Sequence, residues 1–441
     1  MTSTSPTALR TDERIERLTR YRLIVFGAAF AIALFMVLVV WRAQSVVAQT
    51  NDLYKFAELG NNIATGKGLR YAGGPLTIRR APLYPACIAL LYLVFGAKPL
   101  VIQLFQCFLA AGTSLLSFEI GRRVFNLHTG FLAAAVVALH PMVLRYVPDI
   151  QVECLLTFLY TLAVYRSVRL IEEGSLANGF WFGVATACAA MVKGVALPYP
   201  ALFLVAYLLY RRFSKDAEKG AAVKSGLPGW KPMAAMLIAM GLVILPWTYR
   251  NYEVTGGRFV LISGNAAGEF LRGYVFAQPR YYLLRDKPYE VGENEANAMQ
   301  RELFRSQGLV WERDEAETEM VHNKAAKAKL RGDPMAFVRK FCVGSFMFWY
   351  VVTTRMNSLF VGAMALLGWA LALFGWASNR HKGYRFWLLL LPIASLNFIY
   401  AAVLALGRYS APCIPTLMVL AAFGGETIVR KTVARFRVAE A

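Results

Sequence analysis

Charge is what this chain has little of. Only 17% of its 441 residues are Asp, Glu, Lys or Arg, against about 25% in soluble globular domains. Hydrophobic residues fill the gap at 57%, with 13% aromatic, which excludes an ordinary soluble fold. Histidine is scarcer still: His128, His140, His322 and His381 stand far apart, without the short spacings that hold a metal. The six cysteines (Cys87, Cys107, Cys154, Cys188, Cys342, Cys413) fall singly inside apolar segments. They read as small core residues, not as a disulfide framework or metal site. There is no Gly-x-Ser-x-Gly elbow, Walker motif or haem motif, and Gly66-Lys67-Gly68 lacks the spacing and the following Ser/Thr of a P-loop. A hydrolase or a nucleotide-driven pump has no support.

What the chain has instead is long apolar runs. Residues 23–41 are nearly pure hydrophobic, and similar stretches follow, each near the roughly 20 residues that a bilayer core demands. A polar tail of over twenty residues precedes the first run, with no small-residue cleavage site after it, so a cleaved signal peptide is not expected. The net charge of +21 is not a nucleic-acid footprint. Residues 251–340 hold 14 basic and 13 acidic residues, so the excess lies in the membrane-flanking connectors, where orientation signals and lipid-phosphate contacts belong. No nucleic-acid partner is expected, and membrane lipids are.

Those connectors set the topology. Arg122 and Arg123, Arg166 and Arg169, the cluster from Arg211 to Lys231, Arg380 with Lys382 and Arg385, and the tail from Arg430 to Arg437 belong in the cytoplasm with the Arg-rich N-terminus. The expected fold is an all-α polytopic membrane protein of about ten transmembrane helices: 23–41, 100–121, 131–147, 150–170, 180–195, 197–211, 233–249, 357–376, 386–405 and 410–428. Two further apolar stretches, 82–96 and 336–354, read as re-entrant or surface segments. The expected organisation is a cytoplasmic tail (1–22), a transmembrane module (23–250) with an outer loop at 42–99, a small outer loop domain (251–356), C-terminal helices (357–429) and a second tail (430–441). The extramembrane mass thus lies on one side, and the chemistry is expected there.

In the first outer loop, Leu53, Phe56, Ala57, Gly60, Ile63 and Ala64 recur at helical spacing, predicting an amphipathic surface helix over 52–65. Asp52 at its start is either the helix cap or a general base, and the two roles are compatible. Arg79 and Arg80 either snorkel to lipid headgroups or clamp a phosphate at the interface. Asp149 and Glu153, four apart, would share a helix face. Asp149 is also a candidate helix cap. Glu153 lies one turn inside an apolar span, where carboxylates are costly and functional by default, unless Arg145 pairs with it. Lys193 and Arg408 are isolated cations at the same membrane level. Together with Arg79 and Arg80 they suggest an anionic-substrate site. The aromatics of 251–340 (Phe259, Phe270, Tyr274, Phe276, Tyr281, Tyr282, Tyr289) suit a carbohydrate-binding lid, but read more simply as the core of a small domain.

At these residues the chain resembles the polyprenyl-phosphate-dependent glycosyltransferases of the GT-C superfamily, the group of the protein mannosyltransferases and the lipid A aminoarabinose transferase. The resemblance rests on Asp52 with Leu53-Tyr54 and Gly66-Lys67-Gly68, on Arg80-Ala81-Pro82-Leu83-Tyr84-Pro85, and on Gly121-Arg122-Arg123-Val124-Phe125. It continues through His140-Pro141, the 246–252 motif Pro-Trp-Thr-Tyr-Arg-Asn-Tyr, and Arg408-Tyr409 with Pro412 and Pro415. It implies an inverting enzyme in the bacterial cytoplasmic (inner) membrane with its site facing the periplasm. The donor would be a sugar on a polyprenyl phosphate, and the acceptor a hydroxyl of a lipid, polysaccharide or protein. It implies Asp52 as base, Arg79, Arg80, Lys193 and Arg408 at the donor phosphate, and Asp149, Glu153, Tyr54 and Tyr409 holding the acceptor or ordering the site. Lys193-Gly194 stands where relatives often have Arg-Pro. One acid at Asp52, where the protein mannosyltransferases have an adjacent pair, names no metal ligand and leaves a divalent cation open as a cofactor. The rival reading is a flippase for polyprenyl-linked glycans, opposed by the one-sided outer mass and the lack of basic residues in the middle of 23–41 and 357–376.

Overall fold

The computed structural model describes residues 6–41, 52, 55–213, 229–284, 288–310, 314–379 and 383–439. Helices dominate. The first part holds α1 (Pro6–Phe35, continued by a π-helical stretch Met36–Trp41), α2 (Phe56–Ala64), α3 (Leu83–Phe95), α4 (Pro99–Val124), α5 (Leu127–Leu139) and α6 (Pro141–Leu144). Next come α7 (Glu153–Glu173), α8 (Leu176–Val192), α9 (Pro198–Phe213) and α10 (Trp230–Val254). The outer domain is built from α11 (Ala266–Phe276), α12 (Pro279–Tyr282), α13 (Pro288–Arg305), α14 (Glu315–Gly332) and α15 (Pro334–Met347). The chain finishes with α16 (Arg355–Ser378), α17 (Gly383–Ala402), a 3₁₀ segment (Gly407–Cys413) and α18 (Ile414–Ala439). Among the described residues the one extended pairing is an isolated bridge between Arg70 and Leu76.

Seven helical stretches among the described residues are long and apolar enough to cross a bilayer, and the chain is a multi-pass membrane protein. Each of the ten expected spans corresponds to helix, but not all reach span length: α5 has 13 residues, α8 17 and α9 16. Thirteen residues rise only about 20 Å, short of a hydrocarbon core of about 30 Å. The break after α5 is local chemistry. The residue before a proline is pushed out of the helical region, and His140, before Pro141, is extended at φ −70°, ψ 123°. The two stretches read as surface pieces fold as the short helices α3 and α15. At the N-terminus, helix runs back to Pro6, well into the stretch expected to be a tail, supported by an i,i+4 pair of Glu16 and Arg20.

The helices nearest the site pack backbone to backbone. α8 lies against α10 through Gly179 and Gly183. A Cβ on either would fall 2.2 Å from a carbonyl oxygen of α10, that of Pro232 or Met236. This is the small-xxx-small approach of membrane helices, and it fixes where α8 ends and delivers Lys193. At the other end of the bundle, the buried Glu119 of α4 binds Arg122 at 2.5 Å and reaches Arg22 of α1 at 2.9 Å. That cluster fastens the first helix and lies outside the site described next.

Candidate functional site

A cavity of about 470 Å³ opens where several helix ends meet. Its wall includes Arg79 and Arg80 from the first loop, Glu153 from the start of α7 and Lys193 at the end of α8. Glu269 of α11, Tyr400 of α17, and Arg408 with Tyr409 from the 3₁₀ segment complete it. Four cations, two acids and two tyrosines from separate segments of the chain are thus brought to one space.

The cations are held by aromatic rings and neutral acceptors more than by acids. The Lys193 ammonium stands 4.0 Å from the centre of the Tyr409 ring and 5.2 Å from that of Tyr400, a cation–π arrangement. Glu153 and Glu269 attract it, and Arg408 and Arg80 repel it. Arg408 donates Nη2–H to the Tyr409 hydroxyl at 2.8 Å and lies 5.6 Å from the ring of Tyr289 on α13. Arg80 donates Nε–H to the Tyr71 hydroxyl at 3.1 Å and lies 6.0 Å from the Phe56 ring. Arg79 is buried, and its Nη2–H reaches the Thr318 hydroxyl at 2.7 Å. Burial pulls its guanidinium down to about 10, against the attraction of Glu315, so it stays charged at neutral pH.

The acids separate into distinct roles. Asp52 caps α2, which begins at Phe56 and not at 52. Its Oδ1 accepts the Phe56 N–H at 2.6 Å and its Oδ2 the Ala57 N–H at 2.7 Å. Burial pushes the Asp52 carboxyl above its ordinary range, opposed by those two N–H groups and by Arg80. Asp149 and Glu153 do not share a helix face, because α7 starts only at Glu153. Nor does Asp149 cap α7, whose N-terminus has no side-chain cap. Asp149 takes the Arg145 guanidinium at 3.2 Å. That leaves Glu153, 5% exposed, at a helix N-terminus that favours negative charge. Its Oε2 is buried without a hydrogen-bond partner among the described residues. Tyr54 lies outside the described residues.

Two contributors, Glu269 and Tyr400, escaped the sequence reading, and a third, Tyr289, was expected only among the aromatics of a lid or a domain core. Glu269 accepts from Asn265 at 3.0 Å and faces Arg272 at 3.4 Å, which in turn binds Glu293 of α13 at 2.5 Å. Tyr400 stacks on Tyr409 with centroids 4.5 Å apart and planes 6° off parallel. Tyr289 brings α13 over Arg408. The other outer-domain aromatics mostly form its core: Phe276 and Tyr281 are buried against each other, and Phe270 packs on Tyr274 and Phe337, while Phe259 is exposed. The 246–252 motif has a plain structural job. Trp247 and Asn251 both donate to the Ile262 carbonyl, at 2.9 and 3.0 Å, and Thr248 donates to Leu261 at 2.8 Å, pinning the wall segment that faces the cations. Among the described residues, no three His, Cys, Asp or Glu side chains gather where they could hold a metal ion.

Residues 79–247 match the model of the dolichyl-phosphate-mannose-protein mannosyltransferase family. No curated protein matches the chain by sequence. Among solved structures, the chain resembles the oligosaccharyltransferase AglB of Archaeoglobus fulgidus in complex with an inhibitory peptide and a dolichol-phosphate. The TM-score is 0.59 at 15% identity, covering 95% of this chain and 51% of that one. The same enzyme tethered to an acceptor peptide gives 0.58 at 15% identity, covering 93% and 50%. ArnT of Cupriavidus metallidurans, bound to undecaprenyl phosphate, gives 0.41 at 15% identity, covering 95% and 78%. The chain thus spans about half the length of the oligosaccharyltransferase.

Proposed function

We propose that the chain is a membrane glycosyltransferase of the GT-C type, which moves a sugar from a polyprenyl phosphate to a hydroxyl acceptor at the outer face of the cytoplasmic membrane; the family match over residues 79–247 and the fold shared with the oligosaccharyltransferase support this reading. The observation that carries this reading is the cavity in which Arg80, Lys193 and Arg408 converge beside Glu153. Cations preorganised in a low-dielectric site stabilise the charge that develops on a departing phosphate. The basic connectors support an orientation with those connectors inside and the cavity on the periplasmic side.

In the proposed reaction the acceptor oxygen attacks the anomeric carbon as its proton passes to the Asp52 carboxylate. The bond from that carbon to the phosphate oxygen breaks, and the lipid phosphate leaves with the electron pair and an added negative charge. Arg80, Lys193 and Arg408, with Arg79 behind them, receive that charge. Displacement from the opposite face inverts the anomeric configuration. Asp52 retains lone pairs for the proton after accepting two N–H bonds, and its raised proton affinity suits a base. Arg80 links base to cations, since it interacts with Asp52 and lies near Phe56, whose N–H that carboxylate accepts. Glu153, with an unpartnered oxygen, is placed to take a hydroxyl of the sugar or acceptor.

The test uses purified protein in nanodiscs with radiolabelled polyprenyl-phosphate sugars and a membrane extract of acceptors. Asp52→Asn is expected to abolish transfer while donor binding persists. Transfer that survives this substitution removes Asp52 as base. Donor that binds and crosses a liposome bilayer without ever being transferred replaces the enzyme with a flippase.

A further inference from the structure

The segment that carries Arg79 and Arg80 is irregular chain, and it is held from three directions. Within the first loop, the Thr77 N–H donates to the Leu69 carbonyl at 2.9 Å. From the end of α10, Arg250 donates Nη1–H to the Thr77 carbonyl at 2.9 Å, and from the segment that follows α10, the Gly264 N–H donates to the Ile78 carbonyl at 2.8 Å. The third hold comes from the outer domain. The Thr77 hydroxyl faces both oxygens of Glu315, at 2.8 and 2.9 Å, and the Ile78 N–H donates to Oε2 at 2.8 Å.

Glu315 is the first residue of α14 and is 7% exposed, beside a fully buried Thr77. A glutamate in a first helical turn serves the helix dipole equally well from the surface. Burying it costs free energy unless its hydrogen bonds are made, and every side-chain hydrogen bond described for it goes to residues 77 and 78. One turn further along α14, Thr318 takes the Arg79 guanidinium at 2.7 Å, and the Arg79 N–H returns to the Thr77 hydroxyl at 3.1 Å. The carboxylate is therefore the anchor of a short chain of bonds that ends at the cations.

We infer that Glu315 is a positioning residue for donor binding: from the outer domain it sets where Arg79 and Arg80 stand in the cavity wall. The inference rests on the proposed lipid-phosphate reading. It makes the outer domain part of the phosphate site without any outer-domain cation touching the phosphate. Loss of the anchor then weakens capture of the donor and leaves the acceptor side and the base in place.

The experiment compares wild type, Glu315→Gln, Glu315→Asp and Thr77→Val in nanodiscs. It measures binding of a sugar-free polyprenyl monophosphate and the steady-state constants for donor and acceptor. Glu315→Gln removes the charge and one of the two oxygens that accept from Thr77 and Ile78. The expected result is about ten-fold weaker binding of the monophosphate and an equal rise in donor KM. Turnover at saturating donor falls as well, because the same cations receive the charge of the leaving phosphate, while the acceptor KM stays within about two-fold. Glu315→Asp, which keeps the charge on a shorter arm, recovers part of the loss, and Thr77→Val, which removes only the hydroxyl, gives a smaller change of the same sign. If Glu315→Gln does not fold, the other two variants read the same quantity. Unchanged donor binding across the variants, or equal losses in donor KM, acceptor KM and turnover, overturns the inference alone. A wild-type protein that binds no polyprenyl monophosphate overturns it together with the proposed function.

Discussion

The Lys193 ammonium rests 4.0 Å from the centre of the Tyr409 ring and 5.2 Å from that of Tyr400, and the two rings lie almost parallel with their centres 4.5 Å apart. Two stacked rings hold the cation in place by their negative faces without neutralising it as a carboxylate bond would. The Tyr409 hydroxyl also accepts from Arg408, so one side chain positions both cations. A charge held this way stays available to an anion.

Lys193→Met, which keeps the length and removes the charge, is therefore expected to lower kcat/KM for the donor by about ten- to a hundred-fold, the worth of a hydrogen bond to a charged group. Lys193→Arg should retain much of the activity, since a guanidinium stacks on aromatic faces and binds phosphate. Tyr409→Phe keeps the ring under Lys193 and removes only the acceptor for Arg408, so its loss should be smaller, about 1 kcal/mol. Steady-state kinetics with a polyprenyl-phosphate sugar decide the matter. A Lys193→Met enzyme as fast as wild type would take Lys193 out of the site.

The residues that could be found from sequence were those at odds with their surroundings. Arg79, Arg80, Lys193, Arg408 and Glu153 are charges beside or inside apolar runs, and the cost of such placement is itself the signal. Glu269 and Glu315 gave none, since acids in a mixed-charge region look like solvated surface until α11 and α14 fold against the loop. Tyr400 was hidden in the same way among ordinary aromatics, and Tyr289 stood out only as one of the outer-domain aromatics. The spacing of Asp149 and Glu153 misled, because the helix that would place them on one face begins only at Glu153. Gly179 and Gly183, four apart, went unread in the sequence, although that spacing is the one that lets α8 approach the α10 backbone. Most long helices were evident from hydropathy. The shortness of α5 follows from Pro141, and the capping of α2 by Asp52 was one of the roles its position offered, although the helix starts at Phe56 and not at 52.

Glu319 of α14 provides a pH test of the outer domain. Burial pushes its carboxyl up to about 7 from an ordinary 4.5, with Asn323 and Arg79 pulling the other way. Between pH 4.5 and 7 the folded protein then holds a proton that the unfolded chain has lost, so this group's contribution to stability is full below 4.5 and is lost as pH rises toward 7. His322, one turn on, works in the opposite direction. Burial pulls it down to about 4, so below pH 6.5 the unfolded chain takes the extra proton and acidification destabilises. Glu319→Gln removes only the first contribution. Relative to wild type, the variant is expected to gain thermal stability as pH rises from 4.5 to 7, by on the order of 1 kcal/mol after solvent screening. Unfolding profiles at several pH values measure the difference. A constant offset between the two proteins would show that Glu319 does not titrate in this window.

The approach of α8 to α10 offers a final test, because it joins packing to the site. A methyl group on Gly183 would sit 2.2 Å from the Met236 carbonyl oxygen and 3.0 Å from the Ala239 side chain. Neither a backbone carbonyl nor a packed helix can yield that distance without the helices moving apart. Overpacking of this kind costs about 1–3 kcal/mol, and it acts on the helix whose last turn presents Lys193. Gly183→Ala is thus expected to lower the thermal midpoint and also reduce transfer, with the donor KM rising as Lys193 shifts. Gly241, on α10 itself, is the control: the nearest atom to its Cβ would be 3.7 Å away, and alanine there should be neutral or stabilising by up to about 1 kcal/mol from helix propensity. If Gly183→Ala unfolds at the same temperature as Gly241→Ala and transfers as well, the two helices are not in backbone contact, and the placement of Lys193 must be set from the α17 side by Tyr400 and Tyr409.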